Sequence, residues 1–241
     1  MSTKLLYLED MYILEAEAHV TQVERQGGHE VVYLDQTILY PQGGGQPYDT
    51  GVIENGDAKF IVEEVRFVDG EVLHIGHFEG ANFIQGQAAH IVVDAERRQM
   101  NARLHSGGHL VDMAVSQLCP DWVPSKGYHF PDSPYVEYDA QLNPEAYNQL
   151  IQQIEELTNK YIEQDLPVSC RFVEHSELKE LCRHVPSNIP TNKPIRVVQF
   201  GNFGVPCGGT HVKSLGELKD LTITRLKKKD SKIRVGYSIP R

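Results

Sequence analysis

The chain of 241 residues is long enough for one large domain or two small ones with a buried core. An apolar content of 40% and a charged content of 23% describe an ordinary globular protein and exclude a disordered or fibrous one. The formal net charge of −10 argues against a protein that coats nucleic acid non-specifically, while leaving room for a local basic face. The opening residues Met1 to Asp10 lack the apolar run of a secretory signal, and no stretch approaches the length of a bilayer-spanning helix. A cytoplasmic protein without membrane association is therefore expected. The four cysteines, at 119, 170, 182 and 207, contain no C-x-x-C pair and are too few for a disulfide scaffold. Cys119, Cys170 and Cys182 read as buried thiols acting as small hydrophobes.

Residues 1–92 read as strands and turns. Short β-rich runs at 18–23, 30–34 and 58–62 are punctuated by Gly27-Gly28, Asn55-Gly56, Asp69-Gly70 and Glu79-Gly80. Asn-Gly and Asp-Gly between apolar runs mark hairpins, because the central residues must tolerate positive φ. Strands so short and so regularly interrupted predict a small antiparallel β-barrel. Near Asp94 the apolar period becomes helical: Met100, Leu104, Val111, Ala114, Val115 and Leu118 fall on one stripe. A second helix is predicted from Pro144, capped by Asn143, to about Asp165, and a short one from Ser176 to His184. A proline-rich loop at 186–194 leads to a strand over Ile195 to Phe200. Two further strands, 221–226 and 232–237, read as a hairpin with a basic tip. There Arg225, Lys227, Lys228, Lys229, Lys232 and Arg234 place six cations within ten residues. This cluster is either a solvated turn or a contact for a phosphate backbone. Helices and strands without βαβ regularity predict an α+β domain over 93–241.

Two pairs of metal-ligand residues stand out. His105 and His109 are spaced i, i+4 on the first helix, so their side chains share one face about 5–6 Å apart at Cβ. Cys207-Gly-Gly-Thr-His211 offers a thiol and a third imidazole around a glycine turn. Nitrogen and sulfur donors in this number suit one tetrahedral Zn2+ per chain. Gly107 and Gly108 each cost the helix about 1 kcal/mol relative to alanine, which predicts the close approach of another segment or a ligand. A metalloprotease is poorly supported, since serine rather than glutamate follows His105. Ser106 lacks the strand–turn–helix setting of a nucleophile elbow.

The segment Tyr40-Pro-Gln-Gly-Gly-Gly-Gln-Pro-Tyr-Asp-Thr-Gly51 is the third conspicuous feature. It is either a flexible turn or a backbone built to pack against a helix or a substrate, and it is no Walker loop, because no Gly-Lys-Ser/Thr follows. Gln42-Gly-Gly-Gly-Gln46 with Asp49-Thr-Gly51, then Arg103-Leu-His-Ser-Gly-Gly-His109, then Cys207-Gly-Gly-Thr-His211 together resemble the editing module of alanyl-tRNA synthetases. The likeness is greatest to its free-standing relatives, the AlaX proteins, and it covers essentially the whole chain.

The resemblance implies a small N-terminal β-barrel followed by an α+β editing domain of the threonyl- and alanyl-tRNA synthetase type. It implies zinc held by His105, His109, Cys207 and His211, and hydrolysis of the ester of a misacylated tRNA(Ala), with serine or glycine as the wrong amino acid. Gln46, Thr210 and His211 are the candidate catalytic residues, with His211 either a ligand or a participant in the chemistry. Gly44 and Gly45, with Lys227, Lys228 and Lys229, are the candidate substrate-binding positions. The expected partner is the acceptor end of tRNA(Ala), with no nucleotide cofactor, and a monomer is expected. A zinc-stabilised tRNA-binding module without hydrolytic activity is the alternative.

Overall fold

The computed structural model describes residues 2–187 and 189–240, so position 188 of the proline-rich loop lies outside the described residues. The chain forms two compact units divided between Gln99 and Met100.

In the first unit, β1 (Lys4–Leu5) lies parallel to β4 (Gln36–Thr37) beside a closed barrel. The barrel comprises β2 (Glu15–Gln26), β3 (His29–Leu34), β5 (Gly51–Asn55), β6 (Ala58–Val68), β7 (Glu71–Gly80) and β8 (Ala88–Val93), in the order β2-β3-β7-β6-β5-β8. Three of the turn signals are hairpins in the expected places. Gly27 and Gly28 join β2 to β3, Gly56 lies between β5 and β6, and Asp69-Gly70 between β6 and β7, all at positive φ. Gly80 behaves differently. It ends β7, and a Cβ there would lie 2.6 Å from the Asp57 carbonyl oxygen, so its glycine answers to close packing as well as to its φ of 88°. Register shifts in β2 and β6 bend the strands enough to close the cylinder. Val32, Leu34, Ile53, Phe60, Val65, Val72 and Ile91 fill the interior.

The first unit also contains the opening turn of α1 (Ala95–Leu118). Asp94 caps it, its Oδ1 accepting from the Arg97 amide at 3.1 Å. Arg98 is buried and ion-paired with the fully buried Asp49, donating through Nε at 2.9 Å. The same guanidinium donates to the carbonyls of Met11 and Ile38. This network keeps residues 95–99 with the first unit, although the hydrophobic period already changes after 92.

In the second unit α1 continues past Met100. It is buried on most sides between 101 and 115, so the expected apolar stripe is only part of what it buries, Leu110 being a further core residue. Next come β9 (Val123–Tyr128), β10 (Tyr135–Asp139) and α2 (Tyr147–Glu163). Asn143 caps the turn that leads into α2, its Oδ1 accepting from the Glu145 amide at 3.2 Å. Leu150 and Ile154 of α2 are buried in the core, with Tyr147, Ile151, Leu157 and Tyr161 packed on it. β11 (Val168–Val173), a 3-10 turn and the short α3 (Leu178–Leu181) follow. β12 (Ile195–Phe200) and β13 (Phe203–Pro206) complete a three-stranded antiparallel sheet with β11.

Finally β14 (Thr222–Lys229) and β15 (Lys232–Ser238) join β10 and β9 in a four-stranded sheet of order β14-β15-β10-β9. The tip of the last hairpin is only Asp230-Ser231, with Asp230 at a φ of 55°. The basic run expected at the tip therefore lies within β14, where alternate residues face opposite ways. The architecture is α+β. Cys182 is buried, whereas Cys119 and Cys170 are partly exposed at the margin of the core rather than inside it. Among the described residues no helix is long and apolar enough to cross a membrane.

Candidate metal centre

The second unit brings His105, His109, Cys207 and His211 together, with one donor atom from each lying within 4.8 Å of the others. Helical spacing stacks the rings of His105 and His109, whose centroids are 4.9 Å apart. The loop after β13 delivers the other pair. Cys207 Sγ lies 3.5 Å from His105 Nε2 and 3.4 Å from His211 Nε2. Tetrahedral zinc at its usual bond lengths of about 2.0–2.3 Å needs donors roughly 3.5 Å apart, so these contacts already have the spacing of a first coordination shell. His109 Nε2 is buried without a hydrogen-bond partner among the described residues, a costly state that a metal ion relieves.

Burial tunes the donors. It pushes His105 and His211 well below the ordinary histidine range, reinforced by repulsion from neighbouring cationic groups, and lowers His109 to about 4. The imidazoles are therefore neutral at physiological pH and ready to ligate. Burial raises the Cys207 thiol, opposed by the Gly209 amide and the Arg196 charge, so metal uptake there releases a proton.

The supporting roles were not legible in the sequence motifs, although Ser106 lies inside one of them. Ser106 Oγ accepts from the Val212 amide at 3.1 Å and lies 3.2 Å from His211 Nδ1. A proton on Nδ1 donated to Ser106 leaves the Nε2 lone pair for a metal. Ser106 thus fixes the ring of a candidate ligand. Arg196, only 5% exposed, donates to the carbonyls of Cys207 at 2.9 Å and Gly209 at 3.0 Å. Its own carbonyl accepts from the Cys207 amide at 3.0 Å, so one residue fixes the loop from both sides. His129, directly after β9, stacks on His105 with centroids 4.7 Å apart. Its Nδ1 lies 2.7 Å from the Tyr237 hydroxyl, which donates to the Leu104 carbonyl at 2.7 Å. The hydroxyl proton is committed to Leu104, so His129 carries its own proton on Nδ1. Burial lowers His129 to about 3, keeping it neutral.

The helix glycines are explained by neighbours from two segments, the one after β9 and the C-terminal one. A Cβ at Gly107 would meet Ile239 Cδ1 at 2.8 Å, and one at Gly108 would meet His129 Cε1 at 2.2 Å. This is the close approach that paired glycines in a helix imply.

Of the other expected site residues, Thr210 lies between two cluster residues and is fully buried. Gln46 is fully buried in the first unit, at the end of a turn in which its amide donates to the Gly43 carbonyl at 2.8 Å. Gly44 and Gly45 supply that turn's positive φ values, 54° and 80°, and the Tyr40 hydroxyl braces it by donating to the Gly43 carbonyl at 3.0 Å. Lys227 and Lys229 lie opposite Arg234 and Lys232 in β15, whereas Lys228 lies opposite the buried Ile233. The three lysines therefore do not share a face.

A closed barrel and an α+β unit with a largely buried cluster of three histidines and one cysteine define a protein whose second unit could hold a metal. Residues 5–97 match the class II tRNA synthetases (A), and residues 195–235 match the threonyl and alanyl tRNA synthetase second additional domain. The alanyl-tRNA editing protein AlaX-L of Pyrococcus horikoshii is 33% identical over 232 residues, which cover 95% of this chain and 55% of that protein. An alanine–tRNA ligase of Halobacterium salinarum is 32% identical over 231 residues, covering 92% of this chain and 24% of the ligase. One from Methanopyrus kandleri is 30% identical over 227 residues, with the same coverage of 92% and 24%. The chain belongs to the alanyl-tRNA synthetase editing-domain family, in which AlaX-type proteins are found. It spans about half the length of the editing protein and about a quarter of the ligases.

Proposed function

We propose that the protein is an aminoacyl-tRNA deacylase that hydrolyses the ester of misacylated tRNA(Ala), with Ser-tRNA(Ala) as the main substrate and Gly-tRNA(Ala) as a second. The observation that carries this reading is the cluster His105, His109, Cys207 and His211, in a chain aligned over nearly its full length with an alanyl-tRNA editing protein. Physics supplies the need. A synthetase site shaped for the alanine methyl cannot strongly reject an analogue that adds one hydroxyl, whereas a second site built to hydrogen-bond that hydroxyl discriminates well.

His105, His109, Cys207 and His211 hold one Zn2+, which when bound supplies a Lewis acid for an ester carbonyl or for water. Ser106 retains the proton of His211 at Nδ1, which favours His211 as a ligand over His211 as a free base. Arg196 keeps Cys207 and Gly209 in a preorganised turn. His129 buttresses His105 in a neutral state. Gln46 and Thr210 orient the substrate or read its hydroxyl, using amide and hydroxyl groups that both donate and accept. The enzyme works on the acceptor end of tRNA(Ala), in the cytoplasm, as a monomer and without a nucleotide cofactor.

A second reading has one observation in its favour: four protein donors complete a tetrahedral shell, the pattern of a structural site. On that reading tRNA is bound and released intact. Deacylation of Ser-, Gly- and Ala-tRNA(Ala) decides between them. Rapid loss of the Ser and Gly esters, with Ala-tRNA(Ala) spared and Cys207→Ala inactive and zinc-poor, is expected. Inertness towards all three substrates defeats the editing reading. Normal hydrolysis by metal-free Cys207→Ala removes zinc from the chemistry.

A further inference from the structure

The four-stranded sheet of the second unit has one face turned away from the core, and its side chains follow from the register. Residues directly opposite one another in an antiparallel sheet point the same way. One row across the sheet is Arg225, Gly236, Tyr135 and Tyr128; the next is Lys227, Arg234, Glu137 and Lys126; a third contains Lys229, Lys232 and Asp139. The intervening rows carry the buried Leu226, Val235 and Val136, then Ile233 and Tyr138, and Lys228 stands in line with the latter.

The outward face therefore gathers six cations against two carboxylates, in a chain whose net charge is −10. Glu137 accepts from Arg234 Nε at 2.7 Å and lies 3.6 Å from Lys232, while Asp139 is 3.4 Å from Lys232. Both acids are thus engaged by Arg234 and Lys232. Among the described residues Lys126, Lys227 and Lys229 have no acidic partner.

Beside these cations is a column of flat groups. The Phe130 and Tyr128 rings stack with centroids 4.6 Å apart and planes 16° apart. Tyr128 and Tyr135 stack at 5.4 Å and 18°. The Arg234 guanidinium lies 4.3 Å from the Tyr135 centroid. All four side chains are partly exposed. Stacked aromatic and guanidinium planes beside unpaired lysines match an unpaired nucleic-acid strand, whose bases offer free π-faces beside a phosphate backbone. A duplex hides its base faces, and an acidic peptide has no use for the ring stack. The platform also adjoins the metal centre through the chain itself. Tyr128 and Phe130 flank His129, the residue that stacks on His105.

We propose that this outward face is the docking platform for the single-stranded 3′ end of the tRNA, with bases extending the Phe130–Tyr128–Tyr135–Arg234 column and phosphates lying over Lys227 and Lys229. The identity of the RNA rests on the editing reading; the docking itself requires no hydrolysis.

The test is equilibrium binding by the full, zinc-loaded chain of uncharged tRNA(Ala), and of the same tRNA lacking its unpaired 3′ nucleotides, at several salt concentrations. Truncating the RNA weakens wild-type binding roughly tenfold or more, the scale of one or two lost base stacks. Tyr128→Leu with Tyr135→Leu weakens binding of the intact tRNA by a similar factor and removes the distinction between the two RNAs. Zinc stoichiometry reports that this variant is folded. Lys227→Gln and Lys229→Gln each flatten the log–log salt dependence by about 0.7, while Lys228→Gln leaves it as in the wild type. Equal affinity of the wild type for the two RNAs overturns the proposal. So does wild-type binding by the zinc-replete tyrosine variant, or a loss with Lys228→Gln as large as with Lys227→Gln. Length-dependent binding in a protein inert towards aminoacyl esters supports the platform and defeats editing. Ester hydrolysis with length-independent binding does the reverse.

Discussion

A methyl group at Gly108 would fall 2.2 Å from His129 Cε1 and 2.5 Å from its Nδ1, and that ring cannot yield without moving away from His105 and Tyr237. At Gly107 the nearest atoms are the terminal carbons of Ile239 and Leu221, at 2.8 and 3.1 Å, which can rotate aside. The two substitutions should separate sharply. Gly108→Ala is expected to destabilise by about 1–3 kcal/mol, as overpacking does, and to weaken zinc binding because the ring on which His105 stacks is displaced. Gly107→Ala is expected to be near neutral, since a helix gain of about 1 kcal/mol offsets a small repacking cost. Chemical denaturation and zinc titration of both variants check this; equal losses would mean that His129 does not buttress the ligand. The sequence disclosed that something approaches these glycines, because a glycine pair in a helix is a local cost with a local reason. It did not disclose His129. One histidine among eleven in the chain carries no local mark of burial, and its partner Tyr237 lies 108 positions away.

At the scale of elements, α1 and β14 show why some of the site was legible and some was not. His105 and His109 follow from helical spacing, and Cys207 with His211 from a short glycine loop, so each pair is fixed by nearby residues. The partition of Lys227, Lys228 and Lys229 depends instead on register, which a shift between Ile223 and Arg225 sets and which no alternation in the lysine run reveals. The start of α1 is held by a charge pair that the motif Asp49-Thr50-Gly51 hinted at only as a turn. Asp49 accepts from Arg98 Nε and from the Tyr40 amide, with both charged side chains almost fully buried. Asp49→Ala would leave the Arg98 charge in the interior without its counterion. A loss of about 3–5 kcal/mol in the stability of the first unit is expected from urea unfolding. A loss under 1 kcal/mol would mean that the carbonyls of Met11 and Ile38 suffice for that guanidinium.

At the scale of the whole molecule, each unit hides neutral histidines. His74 in the barrel is fully buried, its Nδ1 and Nε2 both 2.9 Å from partners, Val32 O and Thr37 Oγ1, and burial lowers it to about 4. His109 falls to about 4 and His129 to about 3 in the second unit. The unfolded chain protonates these rings near pH 6.5 and the folded chain does not. Their contribution is therefore fully present above pH 6.5 and is lost as the pH falls towards about 4 for His74 and His109 and about 3 for His129. Each is expected to cost about 2 kcal/mol by pH 5, at 1.36 kcal/mol per pH unit; His105 and His211 are lowered too and add in the same direction, so the urea midpoints of metal-free protein at pH 7.5 and 5 measure the total. Equal midpoints would show that the rings are solvated. The cluster also sets a timetable for biosynthesis. His105 and Cys207 are 102 positions apart, so at about 5–20 residues per second the ribosome needs roughly 5–20 s between them. Throughout that interval the nascent chain offers only two of its four donors. An ion held by all four donors could enter only once the strand-and-loop segment through His211 has been made, which would turn the last third of the chain into the checkpoint for a metal-loaded protein.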